Sequence, residues 1–118
     1  MSATEPVCDV REVLDLVADK WSLYIVSNLR DGPRRFTELK RAVDGVSQRM
    51  LSVTLRRLER DGILLRTVYA VMPPHVTYEL TPLGVSLLTA AAPLIAWSNG
   101  NLEQIAAARV AYDRVQAI

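Results

Sequence analysis

GVSQRMLSVTLRRLERDGI, residues 45–63, is the stretch on which the reading of the whole chain turns. It opens on an Asp44-Gly45 turn and closes on Asp61-Gly62. Between these turns the pattern is helical. Ser47 is placed as an N-cap, its hydroxyl able to accept from free N–H groups of the first turn. Val46 ahead of it and Leu51 inside the helix have the spacing of a hydrophobic staple. Leu51, Leu55 and Leu58 then recur at helical intervals and form an apolar stripe. Gln48, Arg49, Ser52 and Arg56 fall on another face, with Val53 among them. Gly62 supplies the left-handed stop. A helix anchored by leucines, with Gln, Arg and Ser turned outward near its start, suits the major groove of DNA, because Arg and Gln pair bidentately with guanine and adenine edges. Taken alone, the same pattern also fits an ordinary amphipathic surface helix.

Charge around this stretch favours the first reading. The chain has 118 residues and a net charge of only +1. Yet residues 30–66 carry +5, against −3 before them and −1 after them. Positive charge is gathered where a phosphate-facing surface would need it.

Just upstream, residues 37–43 predict a short helix with Phe36, Leu39 and Val43 on one side and Lys40 and Arg41 outward. Two short helices joined by a Gly-containing turn make a helix-turn-helix, about residues 37–61. Arg34, Arg35 and Phe36 predict a very short strand. Arg30-Asp31-Gly32-Pro33 ends the helix before it, since Gly permits the turn and Pro cannot continue the ladder. That earlier helix is expected to start near Asp9 and to run unbroken to about Leu29. Val10, Val13, Leu14, Val17, Trp21, Tyr24, Ile25 and Leu29 give it an apolar face, with Trp21 as a core anchor. Residues 1–8 read as a polar tail.

Downstream of Gly62 the period changes from helical to extended. Residues 63–69 (ILLRTVY) and 76–80 (VTYEL) predict a hairpin. Its tip carries Pro73, Pro74 and His75, the only histidine. A hairpin directly after such a helix is a wing, about residues 63–80. Its tip would lie along the sugar-phosphate backbone or the minor groove, so His75 is either a phosphate contact or a solvated loop residue. Thr81-Pro82 starts the next helix, Thr as N-cap and Pro at the first position. Pro93 is expected to kink or break it, and Ser98-Asn99-Gly100 to form a turn. A last helix spans about residues 101–115.

The fold class expected is therefore mainly α with a small β-hairpin wing: one winged helix-turn-helix domain over residues 1–118, with terminal helices in excess. The first and the last two helices carry more apolar surface than so small a domain can bury, so a partner is expected. A two-fold homodimer joined by the N-terminal helix and by C-terminal helices at about residues 82–116 would set its recognition helices roughly 34 Å apart on a palindromic site.

Other functions find little support. The sequence shows no metal set, phosphate loop or nucleophile–base pairing, so neither an enzyme nor a cofactor is expected. A second His is absent, and Cys8 is distant from His75, which argues against a metal site. A single cysteine excludes an internal disulfide framework and fits a reducing cytoplasm. No signal peptide is visible, and no apolar run reaches the roughly 18 residues of a membrane span. A winged helix serving only protein–protein contact remains an alternative, as does a regulator that answers a small molecule without cysteine chemistry.

Residues scattered through the chain also resemble a known family. Cys8, Val13-Leu14-Asp15-Leu16 and Asp19-Lys20-Trp21-Ser22-Leu23 are similar to the opening of the HxlR family of bacterial transcriptional regulators. Asp31-Gly32-Pro33-Arg34-Arg35-Phe36-Thr37-Glu38-Leu39 and Gly45-Val46-Ser47-Gln48-Arg49-Met50-Leu51 resemble its next two segments. Leu58-Glu59-Arg60-Asp61-Gly62-Ile63 and residues 73–84 (PPHVTYELTPLG) resemble its wing and the helix after it. The match runs from residue 8 to about residue 97, in family order. Thr37 stands where Asn is usual and Val46 where Ile is. The resemblance implies a winged helix-turn-helix related to the MarR type, acting as a homodimer on operator DNA, by default as a repressor.

Within that frame Gln48, Arg49 and Ser52 are expected to read base edges. Arg56, Arg57, Arg35 and Lys40 are expected to contact phosphates, which position without reading sequence. The amides at Ser47 are a further phosphate site. Cys8 precedes the first helix, whose dipole favours a thiolate while Asp9 and Glu12 oppose it. The resemblance adds that relatives with a cysteine here sense quinones, aldehydes or oxidants, so a small electrophile or oxidant is an expected partner.

Overall fold

The computed structural model describes residues 9–117. Helix α1 spans Val10–Ala18 and begins where expected, the Asp9 carboxylate accepting from the Glu12 N–H at 3.2 Å. It is not continuous to Leu29. It ends at Asp19, and α2 starts afresh at Ser22–Asn28. Asp19 is the cause: one carboxylate oxygen accepts from the Trp21 N–H and from the Ser22 hydroxyl, both at 3.1 Å. A side chain that offers the backbone a local partner competes with the helical ladder, and here it wins despite the unbroken apolar period.

Strand β1 (Arg34–Arg35) leads straight into α3 (Phe36–Ala42), where the Glu38 side chain accepts from the Arg35 N–H at 2.8 Å. Helix α4 is Gln48–Arg60. Strands β2 (Leu64–Tyr69) and β3 (His75–Leu80) form the hairpin, and β1 pairs with the far edge of β3 in the order β1-β3-β2, all antiparallel. The register runs from Leu64 opposite Leu80 to Tyr69 opposite His75, with Arg34 opposite Tyr78 on the other side. The third strand closes one edge of the hairpin and ties the start of α3 to the wing.

One core holds these elements. Ile25, Val26, Leu29, Leu39, Leu51, Leu55 and Leu58 are essentially fully buried. Trp21, Phe36, Tyr78, Leu80, Leu87 and Leu88 pack around them half-buried. Two glycines shape the junctions on either side of the wing. Gly62, at φ +77°, takes the left-handed conformation the sequence predicts at the end of α4. Gly84 is there for space, since a Cβ on it would collide with the Ile63 carbonyl oxygen. The Thr81 hydroxyl accepts from the Gly84 N–H at 3.0 Å, and the Thr81 N–H donates to the Ile63 carbonyl at 3.0 Å.

Helix α5 spans Pro82–Gly100 and α6 Leu102–Gln116. Pro93 does not break α5. A proline removes one ladder bond, and here it follows Ala90, Ala91 and Ala92, among the strongest helix formers. The turn expected at residues 98–100 is absorbed too. The Ser98 hydroxyl donates to the Leu94 carbonyl at 2.9 Å, and the break falls at Asn101, whose side chain donates to the Trp97 carbonyl at 2.7 Å. Unbroken, α5 has 19 residues, and an 18-residue window of it reaches a mean hydropathy of 1.2, long and apolar enough by length and composition alone to cross a bilayer, although Gly, Ser, Thr and Asn interrupt its apolar residues. By contacts the chain forms two compact units, one through Leu88 and one from Thr89 onward.

Candidate nucleic-acid interface

Helix α4 is capped as its sequence requires. The Ser47 hydroxyl accepts from the Met50 N–H at 3.1 Å. Leu51, Leu55 and Leu58 are buried, and Val46 with Leu51 brings the staple into the core. Thr54 is buried beside them at 3% exposure. Its burial is not legible in the pattern, since a threonine on a leucine stripe carries no hydrophobic weight. With one side fixed, the other is set: Ser47, Gln48, Arg49, Val53 and Arg56 are exposed, and Ser52 is half-buried at the edge. Arg35 and Lys40 are exposed on the elements just before.

Two of the residues singled out from sequence have partners that the pattern does not show. Arg57 is exposed but paired. Its guanidinium pairs with the Asp19 carboxylate at 3.5 Å, which ties α4 to the break between α1 and α2. His75 is not in the wing's tip but is the first residue of β3. Its ring stacks on Tyr69, its register partner, with centroids 4.7 Å apart and planes 21° apart. Stacking across the ladder extends the strand by one residue and leaves residues 70–74 as the tip, where Met72 is 93% exposed. Cys8 lies outside the described residues. Among the described residues, no three His, Cys, Asp or Glu side chains come together as a metal site.

On the flank of α4 facing the sheet is an open cleft of about 400 Å³, lined by Phe36, Ser52, Arg56, Glu59, Arg66 and Tyr78. The helical pattern puts Ser52 and Arg56 on a functional surface. It does not point to Arg66 or Tyr78, which inside a strand pattern read as ordinary wing residues.

A helix-turn-helix with its second helix backed by a core, joined to a three-stranded wing, defines a winged helix-turn-helix protein of the DNA-binding kind. The family described as HxlR-like helix-turn-helix matches residues 16–106. The chain belongs to that family, which makes it a transcription regulator and not an enzyme. It is 45% identical over 102 residues to the uncharacterized HTH-type transcriptional regulator YtfH of Escherichia coli (strain K12), covering 86% of this chain and 81% of YtfH. The solved structure of the putative transcriptional regulator ytfH from Salmonella typhimurium superposes with a TM-score of 0.79 at 47% identity, over 86% of this chain and 91% of that one. The redox regulator HypR in its reduced form gives 0.76 at 36% identity, over 83% of this chain and 97% of that one.

Proposed function

We propose that the protein binds a palindromic operator as a homodimer, represses from it, and works in the cytoplasm. One observation carries this reading: α4 is buried along Leu51, Thr54, Leu55 and Leu58 and turns Gln48 and Arg49 to solvent from its first turn. In the major groove Gln48, Arg49 and Ser52 read base edges, each good bidentate contact contributing roughly 1–3 kcal/mol of discrimination. Arg35, Lys40, Arg56 and the amides at Ser47 take phosphates. The wing tip follows the backbone beyond them, with His75 at its base. Arg57, exposed and paired with Asp19 at 3.5 Å, braces the helix and takes a further phosphate. The dimer forms through α5 and α6, where Leu94, Trp97, Leu102, Val110, Tyr112 and Val115 are exposed in one chain.

Selection of bound sequences from random duplexes tests the reading. A palindrome with half-sites one turn apart is expected. Arg49→Ala should lose affinity for that palindrome selectively. An equal loss on all sequences would remove Arg49 from the reading set.

A second element concerns the signal. The similarity to a protein described as a redox regulator, with Cys8 just ahead of α1, supports a thiol that answers an oxidant or electrophile. The wild-type protein should release its operator on diamide treatment, and Cys8→Ser should not. An unchanged response in Cys8→Ser would dismiss the thiol.

A further inference from the structure

Two guanidinium groups share the cleft beside α4. Ser52, Arg56 and Glu59 lie at spacings of four and three along that helix, and so on one flank. Arg66 reaches the cleft from β2 and Tyr78 from β3. They are register partners, so both stand on the same face of the sheet. Arg34 of β1 is the partner of Tyr78 on its other side. The row Arg34–Tyr78–Arg66 therefore sets a phenol between two arginines across the whole sheet. Among the described residues neither Arg56 nor Arg66 is in an ion pair.

The lining offers two cationic forks and two hydroxyls, from Ser52 and Tyr78, against one carboxylate, Glu59. Phe36 and Tyr78 are its only aromatic lining residues. Such a set is poor for an apolar molecule and good for an oxyanion, because a planar guanidinium matches the spacing of two phosphate oxygens. Its position identifies the source of that anion. Ser52 and Arg56 belong to the recognition helix itself, so a strand of duplex flanking that helix passes over the cleft.

We propose that this cleft seats one backbone phosphate of the DNA, held between Arg56 and Arg66, with the Tyr78 hydroxyl as an additional donor. The assignment rests on the reading that α4 enters the major groove. It adds Arg66 and Tyr78 to the residues that bind DNA, as positioning groups blind to sequence. It also gives the sheet a task separate from the wing tip: its β2–β3 ladder clamps the strand beside the helix.

The test measures affinity by fluorescence anisotropy for the selected operator and an unrelated duplex, each over a range of salt. Arg66→Gln should weaken both by the same factor, on the order of tenfold, and should flatten the log-affinity against log-salt slope by about 0.9. Arg66→Lys should recover part of the loss, and Tyr78→Phe should lose about threefold on both duplexes. Glu59→Gln, which removes the opposing charge, should tighten both. Thermal melting of Arg66→Gln should match wild type, which excludes a purely structural brace. If wild type binds its operator and Arg66→Gln keeps its affinity and slope, the phosphate seat is wrong. A loss confined to the operator overturns it too, since that marks a base reader. If wild type binds no duplex at all, the proposed function falls and the seat with it.

Discussion

Helices α4 and α6 are nearly the same length, 13 and 15 residues, yet they stand at opposite ends of the burial scale. Four residues of α4 are buried, and none of α6 is. The apolar residues of α6 are no less bulky: Leu102, Val110, Tyr112 and Val115 are each 56–66% exposed. A helix of this length is marginal in water without tertiary packing. The difference therefore separates two kinds of completeness. The orientation of α4 is fixed inside one chain, as a reading surface must be. Among the described residues nothing buries α6, and in the proposed homodimer a second copy of the same face would cover it by symmetry.

Truncation inside each helix tests that contrast. Leu55→Ala should destabilise the protein by about 3 kcal/mol in a denaturant melt, with no dependence on protein concentration. Val110→Ala in α6 should cost almost nothing in dilute protein. Equal costs in dilute protein would break the comparison. Gly84→Ala comes next. It forces a Cβ against the Ile63 carbonyl and should cost about 2 kcal/mol, read as a lower melting midpoint with the wing displaced. Tyr112→Glu should raise the dimer dissociation constant at least tenfold, about 1.4 kcal/mol, measured by sedimentation, while leaving the fold of residues 9–88 intact. An unchanged constant would mean that α6 is covered by something other than its own copy. The smallest effect belongs to Arg57→Ala. Its pair with Asp19 is long and partly solvated, so about 0.5 kcal/mol of stability is expected, fading as salt rises.

Much of the first compact unit was legible from sequence, and for a consistent reason. The leucine period, Ser47 and Gly62 all specify α4 independently, and they agree. The breaks were less legible because single side chains decide them. Asp19 interrupts a continuous apolar face by capturing two donors, and three alanines carry α5 through Pro93. Neither outcome can be read from periodicity, which averages over several residues. The helix face of the candidate site was readable, since helical spacing alone sorts its residues. The sheet face was not. Arg66 meets Tyr78 only through strand register, a long-range property that local pattern does not encode. His75 belongs to the strand and not the tip for the same reason, its stacking partner being six residues back.

Asp19 is the feature with the widest reach. It ends α1, starts α2 and grips Arg57 in the last turn of the recognition helix, all with one carboxylate. The entry helix and the reading helix thus share a single articulated joint. A movement of α1 would strain or release the pair with Arg57. Either way the change falls at the end of α4 opposite Gln48 and Arg49, at a contact weak enough to be remade.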